Sequence, residues 1–219
     1  MKKSILPAAV LWDMDGTLID SEPYWLASES AFAAAHDSTW GHDDGLGVIG
    51  MSLYESSKLL KQRVGSSLEP QQIIDQITDG VLSQLEVSIP WRPGARELLK
   101  LLRDNNIKTA LVTGSMHRMA QKVADQIGFD AFDVIVGGDD VVNGKPKPDS
   151  YLLAAQMLGV DPTYCVAFED SLTGITAAEA AGTKAVGIPH IVEIPSADGR
   201  ILWPTLSGVT LLNLRGLFE

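Results

Sequence analysis

Short apolar runs that each end in polar, loop-like sequence constrain this chain more than any other feature; they fall at residues 8–12, 108–113, 133–136, 164–168 and 184–188. Unbroken apolar or β-branched runs of this length mark strands buried on both faces, which belong to parallel sheets covered by helices. Segments with helical spacing lie between the later runs, at 95–103, 117–127, 150–158 and 174–181. Strand and helix therefore alternate, and the expected fold is α/β, a doubly wound, Rossmann-like parallel sheet with right-handed crossovers. Helix punctuation agrees: Pro93 stands where a first-turn proline would, and Gly128, Gly159 and Gly182 follow helical runs.

Residues 21–90 break the alternation. They contain no convincing strand and give helical patterns at 23–35, 53–64 and 70–85, separated by the Gly- and Asp-rich segment 36–50. The expected organisation is an α/β core built from 1–20 and 91–219, with an all-helical cap domain, 21–90, inserted after the first strand. Ligands of open α/β sheets bind outside the carboxyl ends of the strands. An insertion leaving the first strand there is expected to act as a lid.

The chain has 219 residues, enough for one catalytic unit with a modest insertion. Its 28 acidic against 17 basic residues give a formal charge of −11, which repels polyanions and argues against nucleic-acid partners or an anionic membrane surface. A single cysteine, Cys165, excludes an intrachain disulfide framework, so a reducing cytoplasm is the expected compartment. Cys165 itself sits inside an apolar run and reads as a core residue. Met1-Lys2-Lys3 and the run 5–12 mimic the start of a signal peptide, but Pro7 and Asp13 cut the run short and no small-residue cleavage site follows. No run approaches the about 20 apolar residues of a membrane span. A monomer is the default expectation.

Four stretches carry chemistry. The first strand ends in Asp13-Met14-Asp15-Gly16-Thr17, and carboxylates two positions apart project to the same side of an extended chain. Close carboxylates repel unless a cation or a shared proton offsets their charge, and a hard divalent ion is the expected answer. An isolated Asp-Gly would equally serve as a turn. Thr113-Gly114-Ser115 ends the second run, where a hydroxyl and backbone N–H groups can face a phosphate, although helix capping explains the same residues. Gly144-Lys145-Pro146-Lys147 is a stiffened loop in which Lys145 can offer a point charge to a phosphoryl oxygen, while Lys147 reads as a solvated lysine. Glu169-Asp170-Ser171 again brings acids out of a buried strand, and Asp13 with Asp170 would suit magnesium, which takes oxygen ligands in octahedral geometry.

In this order and spacing the four stretches resemble the haloacid dehalogenase superfamily, most closely its sugar-phosphate phosphatases and β-phosphoglucomutases. The resemblance spans nearly the whole chain. It implies hydrolysis of a small phosphorylated metabolite with Mg2+, with Asp13 as nucleophile, Asp15 as general acid and base, and Thr113 and Lys145 on the phosphoryl group. Gly114 and Ser115 would join Asp13, Asp15, Thr113 and Lys145 in binding substrate. Magnesium would be held by Asp13, the backbone carbonyl of Asp15 and Asp170, with Glu169 acting through a coordinated water.

Rival activities fit the residues less well. Dehalogenation needs neither a second aspartate nor the acidic pair, and a phosphonatase would bring a Schiff-base lysine, whereas Lys58 and Lys61 have the setting of a solvated helix face. The β-phosphoglucomutase alternative expects an arginine in the cap where this chain has Leu53, although Lys61 or Arg63 could compensate. A non-catalytic binding or regulatory protein on the same fold would be expected to have lost a motif residue, and none is missing. Among the histidines, His36 and His42 read as surface residues, with His42-Asp43-Asp44 a candidate substrate contact. His117 reads as a neighbour of the leaving group and His190 as a loop residue. Trp25 and Trp40 read as packing.

Overall fold

The computed structural model describes residues 6–219, so the leading Met1-Lys2-Lys3 stretch lies outside the described residues. In chain order the elements are β1 (Ala9–Trp12), α1 (Glu22–Ala34), α2 (His42–Leu46), α3 (Leu53–Val64), α4 (Pro70–Leu85), α5 (Ala95–Asp104), β2 (Lys108–Val112), α6 (His117–Gln126) and β3 (Val134–Val136). There follow α7 (Asp149–Leu158), β4 (Cys165–Glu169), α8 (Leu172–Ala180), β5 (Lys184–Gly187), β6 (Ile201–Leu202) and α9 (Leu211–Gly216). The chain divides into two compact units, residues 1–19 with 91–219 and residues 20–90.

In the first unit the strands form a parallel six-stranded sheet in the order β3-β2-β1-β4-β5-β6. Both faces are covered. Ala9, Leu11, Ala110, Val112, Cys165 and Ala167 pack with Tyr151, Ala154 and Leu158 of α7 and Ile175, Ala177 and Ala178 of α8. Alternate residues serve the opposite face, where the Trp12 and Phe168 rings lie 5.0 Å apart and Phe168 lies 6.0 Å from Trp203. Every residue of β1 is fully buried, which is why the run shows no polar alternation. Cys165 is part of this core, and burial pushes its thiol up to about 11.

β1 pairs with β2 on one side and with β4 on the other, so the winding reverses between β1 and β4. At such a switch point a crevice opens beyond the carboxyl ends of the strands. The register fixes what stands there: Trp12 is opposite Phe168, and the Asp13 amide donates to the Phe168 carbonyl at 3.1 Å. The residues that follow both strands are therefore acids held side by side.

The unit 20–90 is helical. α4 packs against α1 and α3, and its Ile73, Ile74, Ile77, Val81 and Leu85 share the interior with Trp25 and Phe32 of α1 and Leu60 of α3. The Gln84 amide crosses from α4 to donate to the Tyr24 carbonyl and the Ser28 hydroxyl, both at 3.1 Å.

The expected fold class is the one observed, and three short elements escape the sequence pattern. β6 spans only two residues, and α2 and α9 are too short for a 3.6-residue period to show. Pro93 precedes the cap residue Gly94 rather than occupying the first turn of α5, because α5 begins only at Ala95. Among the described residues no helix is long and apolar enough to cross a membrane.

Candidate active site

Asp13 is the first residue past β1, and it is 5% exposed. Its Oδ1 accepts from Lys145 Nζ at 2.7 Å, while its buried Oδ2 has no hydrogen-bond partner among the described residues. Lys145 enters on the loop before α7, through a cis Lys145–Pro146 peptide bond, and also donates to the Val112 carbonyl at 3.0 Å. The same ammonium stands 2.6 Å from Glu169 Oε1. Glu169, the last residue of β4, and Asp170 after it are both buried, and ligand atoms of Asp13, Glu169 and Asp170 lie within 4.8 Å of one another.

Two glycines make room for these acids. Gly16 has φ +79°, and a Cβ there would fall 2.0 Å from Asp170 Oδ2. The Asp15-Gly16 pair thus does form a turn, but a turn that brings backbone against an acid of another strand. At Gly174 in α8 a Cβ would lie 1.9 Å from Glu169 Oε2.

Asp15, partly exposed, faces a different set of groups. Its Oδ2 accepts from the Ser115 hydroxyl at 2.6 Å and from the Thr113 hydroxyl at 3.3 Å. The Ser115 amide in turn donates to Thr113 Oγ1 at 3.0 Å. This loop is fastened from behind, because the Gly138 amide donates to the Ser115 carbonyl at 2.7 Å and the His117 amide to Asp139 Oδ1 at 2.6 Å. Space beside Gly114 is open: a Cβ there would meet nothing within 4 Å.

Electrostatics at this rim are out of balance. Asp13 and Glu169 share the single Lys145 ammonium, which leaves that pair of carboxylates one negative charge in surplus when both are ionised, with Asp170 beside them. Burial pushes Glu169 up to about 7, with the charge of Asp13 adding to the rise and Lys145 and Tyr151 opposing it. Burial likewise raises Asp13, and Lys145 only partly pulls it back. For Lys145 burial favours the neutral amine, but the charges of Asp13 and Glu169 outweigh it and hold the ammonium above the ordinary lysine range. Buried carboxylates that draw protons in this way are short of a cation. The orphaned Asp13 Oδ2 and Glu169 Oε2, and an all-oxygen donor set, fit a hard divalent ion such as Mg2+.

The structure therefore brings Asp13, Lys145, Glu169 and Asp170 to one rim, and it gathers Asp15, Thr113 and Ser115 around a second focus of the same rim. The other expectations fall elsewhere. His117 Nδ1 pairs with Asp140 Oδ2 at 2.5 Å, and Lys147 is exposed. Lys58 and Lys61 pair with Glu55 and Glu69 on open helix surface. His36 Nδ1 meets the Phe32 carbonyl, and Trp25 and Trp40 are buried as packing. Tyr151 is a site neighbour that sequence reasoning missed: its hydroxyl donates to Glu169 Oε1 at 2.5 Å. On the sequence it reads only as a core position of an apolar helix.

Buried acids at a β1/β4 switch point mark the ligand-binding end of an α/β sheet, and residues 7–182 of the chain match the family described as haloacid dehalogenase-like hydrolase. The chain belongs to this family, and it falls among the family's phosphatases. It is 33% identical over 199 residues to the phosphorylated carbohydrates phosphatase of Thermotoga maritima, covering 89% of each chain. It is 31% identical over 194 residues to hexitol phosphatase B of Escherichia coli, covering 83% of each. Among solved structures, a variant of CbbY from Rhodobacter sphaeroides in complex with xylulose 1,5-bisphosphate superimposes with a TM-score of 0.84 at 26% identity, over 93% of this chain and 96% of that one.

Proposed function

We propose that this enzyme hydrolyses small phosphomonoesters, sugar phosphates foremost, with Mg2+ and through a phosphorylated Asp13. The observation that carries the reading is the state of Asp13: one carboxylate oxygen is held by Lys145, and the other is buried with no hydrogen bond to it among the described residues. An acid so placed has a fixed direction and an unused lone pair, which is what a nucleophile needs. The relatives named above support the substrate class, since their names refer to phosphorylated carbohydrates and hexitols and CbbY holds a sugar bisphosphate.

Uncatalysed phosphate-monoester hydrolysis is slow enough that enzymes can accelerate it by up to ~10²¹-fold, so covalent division of the reaction and charge neutralisation must act together. In the first step an Asp13 oxygen bonds to phosphorus and the bond to the sugar oxygen breaks, while Asp15 gives its proton to that leaving oxygen. In the second, water attacks the phosphorus of phospho-Asp13 and gives its proton to Asp15; inorganic phosphate leaves and the Asp13 carboxylate is restored. Lys145 presents its ammonium to the transferring group, and Thr113, Gly114 and Ser115 surround it with hydroxyl and backbone donors. Asp13, Asp170 and the Asp15 carbonyl would hold the divalent ion, with Glu169 holding one of its waters. That ion, when bound, offsets the charge that a carboxylate and a phosphate bring together.

The test is release of inorganic phosphate across a panel of hexose, pentose and hexitol phosphates, with Mg2+ and with chelator. Metal-dependent release is expected, and Asp13→Asn should reduce it at least ~10⁴-fold without unfolding the protein. Full turnover by that variant overturns the nucleophile assignment. Rearrangement of a sugar phosphate without free phosphate would mark a mutase; Leu53, the first residue of α3, offers no donor for a second phosphate, which favours hydrolysis.

A further inference from the structure

Tyr151 is fully buried in the first turn of α7, and a phenylalanine would fill the same space. Its hydroxyl instead donates to Glu169 Oε1, the oxygen that also stands 2.6 Å from Lys145 Nζ. The face of the same ring lies under that ammonium, with Nζ 5.3 Å from the centroid. One side chain thus touches both partners of a buried ion pair. Two donors converge on Oε1, whereas Oε2 is buried, has no hydrogen-bond partner, and lies against the bare α-carbon of Gly174. With Oε1 committed, Oε2 is the oxygen left to meet a cation or its bound water.

We propose that Tyr151 is a positioning residue of the cation site, which holds Glu169 in one orientation within the cluster that it forms with Asp13 and Asp170. The inference rests on the metal reading of this rim. Its physical basis is the second layer of a metal site: partners that fix a ligand's orientation change metal affinity by about 10–100-fold when removed, although they never touch the ion. Donation from a neutral hydroxyl to a carboxylate is charge-assisted and directional.

The decisive variant is Tyr151→Phe, which retains the ring beneath Lys145 and removes only the hydroxyl. Titration calorimetry of Mg2+ into the full chain, without substrate, should show affinity weakened about tenfold. In a Glu169→Gln background the same substitution should change Mg2+ affinity by less than about twofold, because the group it positions is gone. A purely structural tyrosine would lower the melting temperature of the metal-free protein and leave Mg2+ affinity unchanged; that result overturns the proposal. An equal loss in the Glu169→Gln background also overturns it, since the effect would not pass through Glu169. Should the unaltered chain bind no Mg2+, the metal reading itself fails and the inference falls with it.

Discussion

The two units of this molecule each bury acids, and they balance them in opposite ways. In the helical unit Glu29 of α1 is 8% exposed and its Oε2 accepts one hydrogen bond, from Trp40 Nε1 at 2.8 Å. Burial pushes this carboxyl up to about 7 and the indole N–H only partly opposes the rise, so near neutrality a proton balances much of the charge. In the sheet unit Asp13 and Glu169 share one ammonium with Asp170 beside them, and glycines press backbone against Glu169 and Asp170. A lone buried acid can take up a proton at modest cost. At the sheet rim the carboxyls of Asp13 and Glu169 are raised as well, but there an ammonium pairs with both and a bound cation could take the place of a proton, and that difference separates a structural acid from a site.

The lysine is where this contrast breaks most visibly. Replacing Lys145 with Met leaves the buried Asp13 and Glu169 without the ammonium that pairs with both, and breaking a buried pair in this way costs about 3–5 kcal/mol. Urea unfolding of Lys145→Met at neutral pH without metal is expected to show a loss of that size, partly recovered on adding Mg2+. Unchanged stability would mean that the acids are already neutral, as in the helical unit.

For Glu29 the sign runs the other way. The folded value is raised above the ordinary 4.5, so the carboxyl contributes no penalty below about pH 4.5 and stability is lost as pH rises from there through about 7. A rise of this size is worth about 3 kcal/mol above pH 7, at ~1.4 kcal/mol for each tenfold change in proton affinity. Glu29→Gln keeps an acceptor for Trp40 and cannot ionise. It should match the parent at pH 4.5 and exceed it by up to about 3 kcal/mol at pH 8, read from urea midpoints at both values. Equal effects at the two pH values would show that Glu29 is not the titrating group.

What could be read from the sequence follows the same physics. Strands covered on both faces must be apolar throughout, so β1, β2, β4 and β5 were legible, and acids directly after β1 and β4 stood out because nothing in a buried strand explains them. Contacts that depend on register were not legible. Tyr151 meets Glu169 across 18 positions and looks like any core residue of α7. Gly174 reads as part of an Ala-rich helix until the approach of Glu169 is seen, and Glu29 reads as one more surface acid of α1. The two-residue β6 carries too little pattern to be found.

Asp15 lies between the two regimes and sets the smallest expected effect. It is partly exposed and accepts from two hydroxyls, at 2.6 Å from Ser115 and 3.3 Å from Thr113. The proposed acid and base must be aimed at the leaving oxygen, and the two hydroxyls fix the direction of its carboxylate. Ser115→Ala removes the shorter of the two contacts and leaves the other, so a loss near ~1 kcal/mol is expected, or about five- to tenfold in kcat. KM and inhibition by inorganic phosphate should scarcely change if the hydroxyl serves Asp15. A rise in both KM and the inhibition constant with kcat preserved would place the hydroxyl on the substrate phosphate instead, and Asp15 would then be steadied by Thr113.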